Sequence, residues 1–143
     1  MIKRLGPGDE PTAVTLFAMM AEVFEEERAP LPNTYVQKLL ARDDLWILAA
    51  VEDDAVVGGL TAHVLPMTRS ARSELFIYDL AVRVDRQRRG VGRALVLDLI
   101  ARGAAAEIGT AFVAADQEDL HALDFYRALG GDESPVSFFV FSR

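Results

Sequence analysis

The part of the sequence that decides the fold is residues 78–95, which read YDLAVRVDRQRRGVGRAL. An apolar run that ends at Val82 predicts a buried strand, and Val91 begins a series of apolar residues at helical spacing. Between them lie an arginine-rich loop and two glycines, Gly90 and Gly92, separated by one residue. The stretch therefore predicts a strand, a glycine-containing loop and a helix in direct succession.

The loop has the composition of an anion site. Glycines let backbone N–H groups approach a ligand closely, and a helix N-terminus carries a partial positive charge. Against the single acid Asp85, the loop and helix start contain Arg83, Arg86, Arg88, Arg89 and Arg93. Because the whole chain has a formal net charge of -7, this basic segment predicts a local phosphate or pyrophosphate site. The acidic remainder would tolerate or favour a cationic substrate.

Two common phosphate-binding motifs do not fit this segment. A P-loop continues with Lys-Ser/Thr after its second glycine, whereas Arg93-Ala94 follows Gly92 here. A dinucleotide-binding fingerprint needs a third glycine where this chain has Leu95. The predicted anion site therefore belongs to neither class.

The pattern that does fit is Gln87-x-x-Gly90-x-Gly92, placed after a strand and at the start of a helix. It resembles the acetyl-coenzyme A signature of the GNAT superfamily of N-acetyltransferases. The resemblance implies an α/β fold in which a mixed, mostly antiparallel sheet has helices on both faces. It also implies acetyl-coenzyme A as cosubstrate, held by Leu80, Ala81, Val82, Gln87, Arg88, Arg89, Gly90, Val91, Gly92 and Arg93. On the residues alone, the arginines could form a solvated loop and the glycines could merely cap a turn.

A second stretch, residues 119–130, reads DLHALDFYRALG. It resembles the superfamily helix whose tyrosine returns a proton to the departing thiolate of the coenzyme, and Tyr126 occupies that position. On the residues alone, Tyr126 could be a core aromatic, since Ala122, Tyr126 and Leu129 share one helix face. The superfamily often continues with Gly-Phe, but Gly131 follows Gly130 here, so the next strand is expected to begin differently.

Asp79 is a candidate catalytic base. Within a strand over residues 74–82, alternation would place Asp79 on one face with Leu75, Ile77 and Ala81. A carboxylate on an apolar face is costly unless it is paired or used. It could accept the proton that an amine nucleophile must lose, directly or through water. Alternatively, Asp79 could be a structural ion-pair or hydrogen-bond partner at the open end of the sheet.

Residues 72–82, RSELFIYDLAV, look like the aminoglycoside 3-N-acetyltransferase branch of this superfamily, and the likeness extends over about residues 45–130. It implies a polycationic aminosugar substrate, an acidic cleft, acetylation of one amine and antibiotic resistance. Members often dimerise, so a homodimer is expected. The cleft would be lined by Asp79, Asp116, Glu118, Asp119, Glu25 and Glu26. On its residues alone, the acidic helix end around Glu25 is more typical of a solvated surface.

The composition describes one ordinary globular domain over residues 1–143, with 51% hydrophobic and 26% charged residues. No apolar run approaches the roughly 20 residues needed to span a bilayer, and the start lacks the apolar stretch of a signal peptide, so we expect a cytoplasmic protein with no membrane partner. The acidic charge argues against nucleic acid as a partner. The chain has no cysteine and two histidines, which excludes disulfides and thiolate sites and predicts no metal site.

Hydrophobic periodicity predicts the element order β-α-α-β-β-β-α-β-α-β. The predicted strands cover residues 2–5, 45–51, 55–65, 74–82, 110–115 and 136–141. The predicted helices run from residue 9 or 12 to about residue 28, and over residues 34–42, 91–106 and 119–129. Buried faces are expected to include Phe24, Trp46, Ile100, Phe138, Phe139 and Phe141.

Three other functions remain open at this stage. The first is acetyl transfer to another amine, such as a polyamine or a protein N-terminus. The second is a non-catalytic module that binds acetyl-coenzyme A as a sensor. The third is a purely structural protein, which the motifs disfavour. For an enzyme, direct transfer is expected, because the chain has neither a cysteine nor a serine in a nucleophile motif.

Overall fold

The computed structural model describes residues 1–27 and 29–143. Its strands are β1 (Ile2–Arg4), β2 (Leu45–Glu52), β3 (Ala55–Pro66), β4 (Ser73–Val82) and β5 (Ala111–Val113). Its helices are α1 (Glu10–Val23), α2 (Asn33–Leu40), α3 (Val91–Ala105) and α4 (Leu120–Ala128). A short 3-10 turn, Val84–Arg86, lies between β4 and α3.

The strands form one mixed sheet in the order β1-β2-β3-β4-β5. Neighbouring strands are antiparallel except β4 and β5, which are parallel and are joined through α3. One face packs against α3 and α4, and the other packs against α1 and α2. The mixed α/β sheet with helices on both faces is confirmed.

Burial on both faces explains the nearly continuous apolar sequence of β2. Its residues alternate between the two cores, with Trp46 and Leu48 towards α3 and with Ile47 and Ala49 towards α1. Such a strand carries no polar face, because helices cover both of its sides. Trp46 is buried as predicted, and its indole N–H donates to the Asp43 carbonyl at 3.2 Å.

A β-bulge interrupts the pairing of β3 with β4 close to the candidate site. Thr61 pairs with Asp79 and the next residue, Ala62, pairs with Ile77, so Tyr78 is an extra residue on β4. A bulge changes which face the following side chains occupy. Bulges of this kind are common beside active sites, where they redirect a side chain.

The bulge corrects the predicted face of Asp79. Leu75 and Ile77 lie in the core beside α3, whereas Ala81 lies in the core beside α1. Asp79 shares the α1 face with Ala81 and with its cross-strand partner Thr61. The prediction that Asp79 lies on one face with Leu75 and Ile77 is therefore wrong, because strict alternation ends at the bulge.

Helix α1 ends at Val23, earlier than the predicted end near residue 28, which itself lies outside the described residues. Glu25 adopts a left-handed φ of 56°, and its N–H donates to the Glu22 carbonyl at 3.1 Å. The N–H of Glu26 reaches back to the Ala21 carbonyl at 2.9 Å. These two bonds form a Schellman motif, which closes the helix even without the glycine that usually occupies the left-handed position.

Two predicted core positions on helices are exposed. Phe24 follows the end of α1 and remains 40% exposed, whereas Met19 within the helix is buried. Ile100 is 49% exposed because it lies beside the buried stripe of α3. That stripe is formed by Val91, Leu95, Val96, Leu99 and Gly103.

The predicted strand over residues 136–141 is not formed. Residues 131–143, called the C-terminal segment below, have no secondary structure and are exposed throughout. Phe138, Phe139 and Phe141 are 78%, 78% and 96% exposed, so their expected place in the core is also wrong. The apolar pattern is strand-like, but this segment pairs with no strand in the part of the chain that the structure describes.

None of the helices in residues 1–27 and 29–143 is long and apolar enough to cross a membrane.

We predict that Gly59→Ala destabilises the fold. An added Cβ would overlap the side chain of Leu16, a fully buried residue through which α1 packs on β3. Overpacking of this kind costs about 1–3 kcal/mol. The free energy of unfolding, measured by urea denaturation, should fall by that amount.

Gly6→Ala is the matched control, because a Cβ at Gly6 meets nothing within 4 Å. It should change the free energy of unfolding by less than about 0.5 kcal/mol. Equal stability of Gly59→Ala and the parent protein would contradict the close packing of α1 on β3.

Candidate active site

The candidate site is centred on an opening between β4 and β5. The parallel pairing of these strands involves only Leu75, Phe76 and Ile77 of β4. Beyond Ile77, β4 continues to Val82 with β3 on one side and, among the described residues, no strand on the other. The C-terminal half of β4 therefore presents a free backbone edge to this opening.

Backbone directions show which residues of β4 face the opening. The N–H of Arg83 donates to Val57 on β3 at 2.8 Å. Since successive residues direct their backbone groups to opposite sides of a strand, Val82 and Leu80 direct theirs away from β3. The Val82 carbonyl accepts a bond from the Gln87 side chain at 3.0 Å. Gln87 thus closes the loop onto β4, and Leu80 faces the opening next to it.

The loop before α3 presents consecutive N–H groups. Gly90 is the N-cap of α3 with a left-handed φ of 83°, and Arg88 has a φ of 62°. The N–H groups of Arg88, Arg89 and Gly90 have no acceptor among the described residues. The first N–H groups of α3 likewise have no acceptor within the helix. This array fits an anion such as pyrophosphate.

The five arginines between residues 83 and 93 divide into two groups. Arg83 binds both oxygens of Asp85, at 2.6 and 3.0 Å, and this hydrogen bonding lowers the pKa of Asp85. Arg86 contacts Asp85 at 3.2 Å and Glu52 at 3.4 Å. In the part of the chain that the structure describes, no ion pair involves the remaining three, which are Arg88, Arg89 and Arg93. The unpaired positive charge thus comes from three arginines rather than five.

The two glycines of the motif are needed for different reasons. A Cβ at Gly90 would meet nothing within 4 Å, so this position requires glycine only for its backbone conformation. A Cβ at Gly92 would lie 3.3 Å from two ring carbons of Phe125, which is tighter than ordinary packing. Gly92 therefore lets α4 pack closely against the start of α3. Phe125 was not predicted as a site residue from the sequence, although it directly precedes the motif tyrosine.

Tyr126 is half-buried on α4, with its ring edge-on to Phe125 at 5.1 Å. Burial, followed by the negative charge of Asp119, raises the pKa of the phenol. Asp119 also caps α4, because one of its oxygens accepts the N–H of Ala122 at 3.1 Å. The arrangement keeps Tyr126 protonated at neutral pH.

Asp79 is hydrogen-bonded to a buried partner. The hydroxyl of Thr61 donates to Oδ2 of Asp79 at 2.6 Å. Thr61 is only 7% exposed, so the bond fixes the carboxylate orientation and leaves Oδ1 free of it. The only sequence signal for Thr61 is a hydroxyl within an apolar strand, and its pairing with Asp79 becomes visible only with the bulged register.

The predicted acidic residues lie in two groups. Asp116, Glu118 and Asp119 are exposed in the connection that leads into α4, which carries Tyr126. Glu25 and Glu26 are exposed just beyond α1, the helix on the Asp79 side of the sheet. The first group thus adjoins the helix that carries Tyr126, and the second follows α1, which packs on the face of the sheet that Asp79 shares.

An open depression lies between the end of α1 and the loop after β4. Its volume is about 430 Å³, and its lining is Met19, Glu22, Val23, Arg83, Val84 and Asp85. Of the acidic helix end, Glu22 lines this depression, whereas Glu25 and Glu26 do not.

Solved structures of aminoglycoside acetyltransferases resemble the chain along its whole length. The enzyme meta-AAC0020, from an uncultured soil metagenomic sample, was solved with trehalose and with sisomicin. Its trehalose complex has a TM-score of 0.92 and 33% identity, covering 100% of this chain and 96% of that chain. Its sisomicin complex has a TM-score of 0.92 and 32% identity, with the same coverage. The enzyme HMB0005, also from an uncultured soil metagenomic sample, has a TM-score of 0.90 and 34% identity, covering 100% and 98%.

More distant structures share the fold. AAC(6')-Iy, solved with the bisubstrate analogue CoA-S-monomethyl-acetylneamine, has a TM-score of 0.84 at 16% identity, covering 100% of this chain and 97% of that chain. No curated protein matches the sequence. The model of the acetyltransferase (GNAT) family, whose members use acetyl-coenzyme A, matches residues 13–130. The strand, loop and helix around the opening lie within that match, and the chain belongs to the GNAT acetyltransferase family.

Proposed function

We propose that this chain transfers the acetyl group of acetyl-coenzyme A directly to the 3-N amine of an aminoglycoside, and that this reaction confers antibiotic resistance. The observation that carries the proposal is the likeness of the whole chain, at 32–34% identity, to aminoglycoside acetyltransferases, one of them solved with sisomicin. The 3-N position is supported by the resemblance of residues 72–82 to that branch.

The loop and the opening would hold the coenzyme. The free N–H groups of residues 88–92 would bind its pyrophosphate, assisted by the unpaired charges of Arg88, Arg89 and Arg93. Leu80 would align the pantetheine arm through its backbone, in the manner of an added strand at the free edge of β4. Gln87 would act as a positioning residue, because its side chain is already bonded to Val82.

Asp79 would accept the proton of the attacking amine, directly or through one water. Its Oδ2 is held by Thr61, so Oδ1 would be the oxygen that meets the substrate. The amine nitrogen attacks the thioester carbon, the new C–N bond forms and the C–S bond breaks. A fixed carboxylate favours this step, because it need not be ordered at the moment of reaction.

Tyr126 would donate its phenolic proton to the departing sulfur. A phenol whose pKa is raised by burial remains protonated until the thiolate needs the proton. The chain has no cysteine, and its sequence has no serine nucleophile motif, so an acyl-enzyme intermediate is not part of the proposal.

The acidic residues would bind the other amines of the polycation. Asp116, Glu118 and Asp119 would form one wall of the cleft, and Glu25 and Glu26 would form the other. Several carboxylates around a polyamine provide both affinity and orientation.

The reaction is tested by thiol release from acetyl-coenzyme A with sisomicin, spermidine or a peptide as acceptor. Because the chain contains no cysteine, all thiol detected comes from coenzyme A. We expect rapid release with sisomicin and acetylation of its 3-N amine. In Asp79→Asn and Tyr126→Phe, kcat should fall by about 100-fold or more, which is the usual contribution of a general base or acid.

Matched controls are Asp53→Asn and Tyr35→Phe, which make the same changes at exposed positions outside the site. Both should retain the parent kcat. Thiol release with only spermidine or the peptide would support an acetyltransferase activity but would exclude an aminoglycoside as the acceptor. Coenzyme binding without release with any acceptor would identify a sensor instead.

We predict that Gly90→Ala weakens coenzyme A binding by about 10-fold or more, because alanine disfavours the left-handed conformation that shapes the N–H array. Gly8→Ala is the matched control. Gly8 has a φ of 101° and also meets nothing within 4 Å, but it lies in the turn before α1. Calorimetry should show parent-like affinity in Gly8→Ala, and equal losses in both variants would indicate a general folding defect.

A second pair of variants, Glu25→Gly and Glu107→Gly, tests whether Glu25 lines the proposed substrate cleft. Like α1, helix α3 ends in a Schellman motif, with Glu107 at a φ of 63° and its N–H bonded to Ala104 at 3.1 Å. Glycine at either left-handed position should raise the free energy of unfolding by about 1 kcal/mol. Only Glu25→Gly should also raise the KM for sisomicin severalfold. If Glu107→Gly raises the KM equally, or neither does, Glu25 is not part of the cleft.

A further inference from the structure

Four aromatic side chains form a patch on the sheet close to Asp79. Phe112 of β5 stacks on Phe76 of β4 at 5.0 Å, with the two rings within 9° of parallel. Tyr78 meets Phe76 edge-on at 5.9 Å and His63 of β3 edge-on at 5.6 Å. None of the four has a part in binding the coenzyme or in moving a proton in the proposed reaction.

Strand pairing shows which face of the sheet this aromatic patch occupies. His63 pairs with Leu45 on β2 and with Phe76 on β4, and residues that pair across a sheet direct their side chains to the same face. Leu45 belongs to the core beside α1, so the patch lies on the α1 face. Its ring contacts place Tyr78 there too, directly before Asp79, which shares this face.

The aromatic patch is open to solvent beyond the edge of the core. Among residues 1–27 and 29–143, the core beside α1 includes Ala81 of β4 but not Phe76, Tyr78 or Phe112. Tyr78 is 65% exposed and Phe112 is 42% exposed. The two edge-on neighbours nevertheless hold the Tyr78 ring in place. A contiguous exposed surface of this kind marks a site of interaction.

A carboxylate lies at each end of the patch along β4. Alternation before the bulge puts Glu74 on the same face as Phe76, and Asp79 directly follows Tyr78. In the part of the chain that the structure describes, no ion pair involves either carboxylate. Because Glu74 and Asp79 are five residues apart, they are separated by at most about 16 Å along the strand.

This combination favours a ligand made of linked, amine-bearing rings. An ammonium group is attracted to the face of an aromatic ring, and the apolar C–H surface of a sugar ring can pack against it. Carboxylates at the two ends can each bind one of several separated amines. An apolar protein segment would instead leave Glu74 and Asp79 without a cationic partner, which is costly. The charges therefore favour a polycationic aminosugar over an apolar partner.

We propose that the aromatic patch is a subsite for the acceptor, in which Tyr78 and Phe76 hold the sugar ring next to the reacting amine and Glu74 binds an amine at the far end. This inference rests on the proposed function, because it takes an aminoglycoside as the molecule that reaches Asp79. The subsite selects acceptors with at least two linked rings, since a single ring at Asp79 cannot also reach Glu74.

The contact is tested by saturation-transfer NMR on the intact chain with sisomicin. Sisomicin has no aromatic protons, so saturating the aromatic region excites only the protein. We expect transfer to the sugar C–H protons, reduced severalfold in Tyr78→Leu and retained in Tyr78→Phe. The matched control is Tyr35→Leu, which makes the same change at a tyrosine of α2 that is 50% exposed. It should behave like the parent.

Absence of transfer in the parent, or equal transfer in Tyr78→Leu, would overturn the subsite. The readout needs no acetylation. A parent that shows the Tyr78-dependent transfer but releases no thiol would therefore support the subsite and count against the proposed reaction alone.

The second test is the kinetics of sisomicin acetylation. In Tyr78→Leu and Glu74→Gln the KM should rise by about 5-fold or more, the usual effect of losing a cation–ring contact or a charged hydrogen bond. The kcat should not change, because neither side chain touches the reacting atoms. Tyr78→Phe should keep the parent KM, and so should Glu107→Gln at the exposed end of α3. An unchanged KM in Tyr78→Leu would overturn the proposal. If that variant instead alters the molar mass in solution, the C-terminal segment of another copy covers the patch.

Discussion

The short parallel pairing of β4 with β5 is the constraint on which the site depends. The two strands share only three paired positions, so β4 continues past β5 with a free edge, and the following loop and α3 start at the far end of that edge. Longer pairing would satisfy the backbone of Leu80 within the sheet and close the opening. A mixed sheet that stays closed along β3 and opens beside β5 thus combines a stable core with an accessible backbone edge.

The motif glycines connect the anion loop to the helix that carries Tyr126. Gly90 permits the left-handed turn that exposes the loop N–H groups, whereas Gly92 permits the contact between Phe125 and the start of α3. A single short pattern therefore determines both the shape of the N–H array and how closely α4 packs against the start of α3. The spacing of one residue fits the geometry, because Gly90 is the N-cap of α3 and Gly92 lies in its first turn, beside Phe125.

Local pattern was sufficient to predict most of the fold, including the strand, loop and helix around residues 78–95 and the hairpin of β2 and β3. The face of Asp79 was not predictable in this way, because the bulge is a property of the pairing with Thr61, 18 residues away. The prediction of a strand over residues 136–141 was wrong for a related reason. Its composition favours a strand, but a strand forms only where an edge is available, and no pattern within the segment specifies which edge. Likewise, the spacing of the arginines did not show that Asp85 and Glu52 neutralise two of them.

The bulge at Tyr78 also explains how two ligands of opposite charge could meet at one strand. It turns the Asp79 side chain to the α1 face, while the backbone of Leu80, the next residue, faces the opening beside β5. The unpaired arginines lie in the loop after β4 and in the first turn of α3, and the glutamates lie beyond α1 on the Asp79 side. An anionic donor and a cationic acceptor would therefore approach adjacent residues from different directions, each towards protein charges of the opposite sign. Without the extra residue, Asp79 would point into the apolar core beside α3, where a carboxylate has no hydrogen-bond partner and no access to an amine.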